Sequence, residues 1–258
     1  MKTNDWNPEL YLRFGKERIQ PSIDLVTRID FNKPRNIIDI GCGPGNSTQI
    51  LADKWPNTKI VGVDNSISMI EKAKKDYPNQ EWIIMDAGKD KLNEKFDIVF
   101  SNATIQWIPD HKNLFNKFYN MLKEGGLLAI QIPLFFDMPL GKSIAAIAEN
   151  EKWAHLTKEV TDLFTIHNSI TYYDYLSELY QSIEMWETNY VHIMESQESI
   201  LKMISSTGLR PYLEKLDNKN DIKDFEEKVL KGIKRDYPVQ KNGNVLFPFN
   251  RLFFIAKK

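Results

Sequence analysis

Asp39-Ile40-Gly41-Cys42-Gly43-Pro44-Gly45-Asn46-Ser47 is the stretch on which the reading of this chain turns. The apolar run Asn36-Ile37-Ile38-Asp39-Ile40 leads into it, and Ile50, Leu51 and Trp55 follow at helical spacing. A short apolar run that stops at glycines has the pattern of a buried parallel strand. Glycines between such a strand and a helix permit a sharp turn and leave bare backbone for a ligand to approach. The spacing here is G-x-G-x-G. In the dinucleotide fingerprint G-x-G-x-x-G the last position falls on Asn46, and the Lys-Ser/Thr pair of a triphosphate loop is missing. Neither a dinucleotide nor a triphosphate is the best fit.

Outward from the loop, strands and helices alternate. Lys59–Asp64, Glu81–Asp86, Phe96–Ser101 and Leu127–Ile132 read as further strands. Ser66 has the position of an N-cap, with Met69, Ile70 and Ala73 on one helix face. His111–Leu122 is amphipathic through Leu114, Phe115, Phe118 and Met121, with Gly125-Gly126 as its expected stop. From Phe135 to Ser182 the rhythm changes to helices, among them Tyr172–Ile183. Glu184–Met194 reads as a strand. Ser196–Asp236 is helical with breaks expected at Gly208 and Pro211, and Asn242-Gly243 turns the chain into a last strand, Val245–Ala256. This predicts an α/β fold: a parallel, doubly wound sheet with helices on both faces and a ligand at the carboxyl ends of its strands. The expectation is a single domain over 1–258, with 135–183 and 195–240 as helical insertions capping one sheet edge.

Composition narrows the function. The 258 residues are 42% hydrophobic and 27% charged, which suits a soluble globular chain and excludes disorder as its main state. With 34 basic and 35 acidic residues the net charge is −1, a poor match to a nucleic-acid binder. Cys42 is the one cysteine, so an internal disulfide and a four-cysteine zinc site are impossible, and a reducing compartment is expected. The N-terminal stretch lacks the apolar core of a secretory signal, and no apolar run reaches the ~20 residues of a membrane span. The expectation is a cytoplasmic protein without membrane or metal. Aromatic residues, at 12% with 6 Trp and 10 Tyr, exceed what a plain core requires.

Carboxylates at the strand ends indicate the ligand. Asp64 ends the second strand, where two acceptor oxygens match the two hydroxyls of a ribose. Asp86 ends the third, where a carboxylate can accept from an adenine amino group. Each acid taken alone could be a helix cap. Asp39, Asp64 and Asp86 at three successive strand ends, beside the glycine loop, point instead to a nucleoside without a pyrophosphate, as in S-adenosylmethionine.

Several stretches carry a resemblance: Asp5-Trp6-Asn7-Pro8 with Leu10-Tyr11-Leu12, Glu17-Arg18, Gly41 to Thr48, Asn102-Ala103 with Gln106-Trp107 and Pro109-Asp110-His111, Tyr172-Tyr173-Asp174, Thr207-Gly208-Leu209-Arg210-Pro211, and Tyr237-Pro238 with Gln240, Asn242-Gly243 and Arg251-Leu252-Phe253. The chain resembles the class I S-adenosylmethionine-dependent methyltransferases, and within them the branch that esterifies small polycarboxylates such as trans-aconitate. The glycine loop is specific only to the superfamily; the N-terminal, TGLRP and last-strand blocks carry the closer similarity. The resemblance implies a Rossmann-like sheet of seven strands, the last antiparallel. It implies Gly41, Gly43 and Gly45 at the methionine end of the cofactor, Asp64 on the ribose, Asp86 and Ala87 at the adenine, Met69 on its face, and Asn102 near the methionine amino group. Arg13 with Gly15-Lys16 departs from the family's pattern and leaves position 13 without a role.

Methyl transfer to a carboxylate needs no general base, because the acid is already ionised at pH 7. It needs alignment, with about 3–3.5 Å between oxygen and methyl carbon, and removal of water. No Ser-His-Asp or Cys-His constellation is found, as expected, and no catalytic residue is assigned. The remaining carboxylates of the acid require cations, best supplied by arginine forks, and Arg18, Arg210 and Arg251 are the candidates, with the cofactor's own carboxylate as the alternative partner of Arg18. Trp6, Tyr11, Trp107, Tyr172 and Tyr173 are candidates for excluding water and donating to carboxylates. For each, a salt bridge or ordinary packing is the blander reading. His111 and His192 read as isolated, structural histidines. The alternative acceptor is a malonyl thioester on a carrier protein, or another small metabolite; a carrier would call for a basic docking face. Base methylation of nucleic acid is disfavoured, since Asn102-Ala103-Thr104-Ile105 stands where an Asn-Pro-Pro-aromatic motif belongs. A cofactor-binding regulator without turnover is disfavoured by the intact loop and acids. Partners are the small acid alone, and a monomer fits.

Overall fold

The computed structural model describes residues 5, 6, 8, 9 and 15–258, apart from the side chains of residues 16–18 and 161. Tyr11 and Arg13, and the side chain of Arg18, lie outside the described residues. The chain divides into two compact units, one of Met1–Ile132, Thr165–Glu187 and Leu252–Lys258, the other of Pro133–Phe164 and Thr188–Arg251.

Strands β1 (Asn36–Ile40), β2 (Lys59–Asp64), β3 (Glu81–Ile84), β4 (Phe96–Asn102) and β5 (Leu122–Pro133) are joined by β6 (Ser182–Met194) and β7 (Val245–Lys257) in the order β3-β2-β1-β4-β5-β7-β6. The first five pair in parallel. The first unit holds β1 to β4 and nearly all of β5, and the sheet's last two strands are shared between the units. At the β5–β7 junction Gly125 N–H donates to Lys258 O, and further along Leu134 N–H donates to Asn250 O, so these two strands run antiparallel. β1 is buried along its whole length, as its apolar run requires. The order reverses between β1 and β4; helix α1 (Gly15–Arg28) precedes β1, and α2 (Asn46–Lys54), α3 (Ile67–Asp76) and α4 (His111–Met121) connect β1 to β2, β2 to β3 and β4 to β5. Ser66 caps α3, its hydroxyl accepting from Met69 N–H.

Two expectations at element ends are corrected. Gly125-Gly126 does not stop α4. The helix ends at Met121, and Leu122 is already extended and paired with Phe96. Between Phe96↔Leu122 and Ile98↔Leu127 the register slips, so the glycines lie in a bulge of β5, with Gly125 at a φ of 73°. The helix expected from Tyr172 to Ile183 is shorter and begins earlier: α7, Ser169–Ser177, starts at the cap Asn168, and β6 begins at Ser182.

The second unit holds α5 (Pro139–Ala148), α6 (Ala154–Thr161), α8 (Gln197–Ser205), α9 (Arg210–Leu213) and α10 (Lys219–Asp236). Pro211 does not break a helix here. It sits in the first turn of α9, where a missing N–H costs nothing. Trp153, Tyr212 and Phe225 form an aromatic core, with ring centroids 5.1 Å apart for Trp153–Phe225 and 6.2 Å for Tyr212–Phe225.

The turn from β1 into α2 hangs on Asp39. This fully buried carboxylate accepts from Ser47 Oγ at 2.6 Å and Thr48 Oγ1 at 2.7 Å, tying the strand to the first turn of the helix. Burial pushes it up to about 6 against an ordinary 3.8, outweighing the two hydroxyl bonds. A carboxyl raised in the folded state favours folding when protonated, so its contribution grows as pH falls from above 6 towards 4. Asn at this position keeps an acceptor for both hydroxyls and does not titrate. In urea denaturation, Asp39→Asn should therefore lose about 1 kcal/mol relative to the wild type on going from pH 7.5 to pH 5.

Candidate active site

The carboxyl ends of β1, β2, β3 and β4 open onto one cavity of about 1090 Å³, all of it within the first unit. Ligand clefts commonly run about 300–1,000 Å³, so there is room for a nucleoside and a second small molecule. Gly41 and Gly43 come from the loop after β1, Asp64 and Met69 from β2 and α3, Asp86 and Ala87 from the segment after β3, and Asn102 from the end of β4. Trp6 and Trp107 also line it, edge to face with ring centroids 5.7 Å apart.

The glycines divide by purpose. Gly43 has a φ of 54°, and a Cβ there would meet nothing within 4 Å, so its backbone faces open space. Gly41 has a φ of 69° and is crowded by Thr104. Gly45 departs from expectation: it is not among the lining residues. At a φ of 96°, its missing Cβ makes room for Tyr77 and Trp82, which would lie 2.7 and 2.8 Å from it. The third glycine serves packing under the loop. Cys42 points into the same packing, buried with Ile70, Ala73 and Trp82, and burial pushes its thiol up.

Asp64 is the hub. One oxygen accepts from Gly43 N–H at 2.9 Å and the other from Ser66 N–H at 2.9 Å. Burial raises its pKa despite these bonds. A carboxylate offers about four lone-pair sites, so Asp64 retains acceptor capacity for a ligand hydroxyl beyond these backbone bonds. Asp86 stands two residues beyond the last residue of β3, a strand shorter than its sequence suggests, yet it reaches the cavity. It accepts from Gly88 N–H at 2.9 Å and pairs with Lys89 at 3.0 Å. Burial pushes it up, and these partners outweigh it, holding it below the usual carboxylate range. Asn102 Oδ1 is buried and without a hydrogen-bond partner. An orphaned amide oxygen at the cavity is the acceptor that an ammonium group needs.

Sequence reasoning missed Met85, Ile108, Leu114 and Lys117, all of them lining residues. Lys117 Nζ caps Ala87 O at 2.7 Å and also reaches Asp90 O, fastening the segment after β3 to α4. On the helix it has the spacing of a solvated lysine. The other candidates are not gathered at this cavity. Tyr172 is fully buried, its ring against His111, Phe115 and Phe254 and its hydroxyl within 3.0 Å of His111 Nδ1, so it has no group to offer a substrate. Tyr173 is 53% exposed. In the second unit, Arg210 pairs with Glu214 at 2.6 Å, and Arg251 is buried in β7 with its guanidinium 4.6 Å from the Phe249 ring. Among the described residues, no group of three or more His, Cys, Asp or Glu could hold a metal, and no helix is long and apolar enough to cross a membrane.

Comparison with known proteins gives this cavity its context. Residues 37–126 match the model of a methyltransferase domain. The chain is 38% identical over 254 residues to the trans-aconitate 2-methyltransferase of Enterobacter sp. (strain 638), covering 98% of each. It is 34% identical over 255 residues to that of Escherichia coli O139:H28 (strain E24377A / ETEC), covering 99% of each. The chain belongs to the trans-aconitate 2-methyltransferase family. It is an S-adenosylmethionine-dependent methyltransferase, and the cavity's donor set fits that cofactor: paired acceptors at Asp64, an orphaned acceptor at Asn102 and bare backbone at Gly43. Solved structures share the fold of this methyltransferase family. YcgJ from Bacillus subtilis has a TM-score of 0.60 at 13% identity, covering 93% of this chain and 98% of its own. Phosphoethanolamine N-methyltransferase 2 from Haemonchus contortus, in complex with S-adenosyl-L-methionine, has a TM-score of 0.59 at 20% identity, covering 97% of this chain and 56% of its own.

The two glycines separate binding from stability. Gly43→Ala carries left-handed strain but no overlap, and should weaken S-adenosylhomocysteine at least tenfold in calorimetry while costing about 1 kcal/mol of stability, less than the change at Gly45. Gly45→Ala forces overlap and left-handed strain, and should cost about 2 kcal/mol or more of stability in denaturant. Asp64→Ala should raise the Michaelis constant for the cofactor far more than that for the acceptor, measured in steady-state assays.

Proposed function

We propose that this enzyme moves the methyl group of S-adenosylmethionine onto a carboxylate of trans-aconitate or a close small polycarboxylate, giving the methyl ester and S-adenosylhomocysteine. The observation that carries this reading is its end-to-end likeness to relatives named for trans-aconitate, at 38% and 34% identity over nearly the whole of each chain. The cofactor, when bound, supplies an electrophilic methyl carbon on a positively charged sulfur. The protein's part is to hold and to dry. Asn102 Oδ1 receives the methionine ammonium, the free lone pairs of Asp64 receive the ribose hydroxyls, and Asp86 with the Ala87 backbone receives the adenine edge. Met69 and Met85 supply polarizable faces for the ring. The Trp6–Trp107 pair keeps water from the acceptor oxygen, which strengthens a nucleophile that water would otherwise solvate.

The acid's other carboxylates need cations, and we assign Arg251 first. The residue is 5% exposed, with its guanidinium carbon 4.6 Å from the centroid of the Phe249 ring, and a guanidinium fork matches a carboxylate. Arg210 is the second; its Glu214 partner is itself a carboxylate, so the substrate would replace like with like. Labelled S-adenosylmethionine incubated with a panel of mono-, di- and tricarboxylates should yield a base-labile ester with trans-aconitate or a near relative. No ester with any tricarboxylate overturns the proposal. Arg251→Lys keeps the charge and loses the fork, and should raise the Michaelis constant for the acid about tenfold or more while leaving that for the cofactor within twofold.

A further inference from the structure

The segment that carries Trp107 is strained at both ends. Ala103 and Asp110 are non-glycine residues held at φ 54° and 58°, and between them the chain makes a short 3-10 turn over Ile105–Trp107. Backbone in the left-handed region persists only where surrounding contacts overdetermine it. The contacts here converge on His111. Its ring is buried, and its Nε2 lies 2.8 Å from the carbonyl oxygen of Ile105, the first residue of the turn. A carbonyl only accepts, so Nε2 carries the proton and Nδ1 is an acceptor. The Tyr172 hydroxyl, 3.0 Å from Nδ1, is then the donor, and it accepts in turn from His167 N–H at 3.2 Å. Burial holds the imidazole down to about 4, so this neutral tautomer persists across the working range of the enzyme. The turn has two further ties: Gln106 O accepts from Thr165 N–H at 2.9 Å, and Gln106 Nε2 donates to Ala103 O at 2.7 Å.

We propose that His111, set in one tautomer by Tyr172, is a positioning residue for methyl transfer: it holds the strained 103–110 segment so that Trp107 meets Trp6 over the reacting atoms. This rests on reading the cavity as the cofactor site. Asn102 is anchored separately, by the register of β4 against Gln131, so loss of the His111 chain loosens Trp107 and leaves the cofactor's own contacts in place. The chemical step therefore suffers while binding does not, because a displacement of about 1 Å near a reacting centre costs on the order of a hundredfold in rate.

His111→Phe keeps a ring of similar size and removes both bonds. Tyr172→Phe removes one hydroxyl only. His111→Gln restores an N–H donor for Ile105 O. S-adenosylhomocysteine titration by calorimetry counts competent sites and gives affinity without any acceptor. Steady-state assays per competent site then give kcat and KM. The expected result is a fall in kcat of at least tenfold for His111→Phe and a smaller fall for Tyr172→Phe. Affinity for S-adenosylhomocysteine stays within threefold, and His111→Gln regains most of the rate. Unchanged kcat per site in Tyr172→Phe and His111→Phe overturns the proposal, as does a loss of affinity that runs parallel to the loss of rate. Should His111→Phe fail to fold, Tyr172→Phe decides. A wild-type protein that does not bind S-adenosylhomocysteine refutes the reading of the cavity instead.

Discussion

Everything at this site depends on the part-buried 2.9 Å bond between Gly43 N–H and the carboxylate of Asp64. The chain leaving β1 must reverse within five residues and start α2. Glycine makes the turn possible, but glycine alone leaves it floppy, since it gives up the most conformational freedom on ordering. Asp64 fixes the turn from the neighbouring strand, and Asp39 fixes its far side from below. Two carboxylates are held out of water to do this, and both are raised for that reason. Such groups are expensive to bury: Asp39 meets the cost through one oxygen, which takes both hydroxyls, while its Oδ1 is buried without a hydrogen-bond partner. Asp39 spends itself inside the protein. Asp64 shapes the loop and also lines the cavity, and in the function proposed above it is the residue that would read the ligand there.

How much was visible beforehand follows from the range of each interaction. The strands of the first half, the Ser66 cap and the strand-end placement of Asp64 and Asn102 rest on local pattern, and local pattern is written in the chain. The role of Gly45 is not. G-x-G-x-G looks like three equivalent positions, and only the approach of Tyr77 and Trp82 from α3 and β3 makes the third a packing glycine. Lys117 hides for the same reason, since a lysine on the polar side of an amphipathic helix has no local mark of the carbonyls it caps. His111 looks isolated because its partners lie 56 and 61 residues away, at His167 and Tyr172. The β5 bulge was misread because Gly-Gly after a helix has an ordinary local explanation, and the register against β4 supplies a different one.

The near-neutral charge of the chain now has a physical meaning. A tricarboxylate cannot be drawn in by a net field of −1. For the polycarboxylate proposed above, recognition would rest on a few cations placed where water is scarce. The aromatic surplus divides likewise. Part forms cores, as with Trp153 and Phe225; part supports, as with Tyr172; and a small remainder, Trp6 and Trp107, faces the cavity.

Cys42 gives the molecule a silent reporter. It is the one thiol of the chain, it sits in the glycine loop, and it is sealed beneath it in an environment that disfavours the thiolate. An alkylating reagent can reach it only when the loop lifts away from Trp82 and Ala73. The rate at which the native protein is labelled therefore clocks the opening of its own cofactor cradle, with no probe introduced and no second thiol to confuse the count.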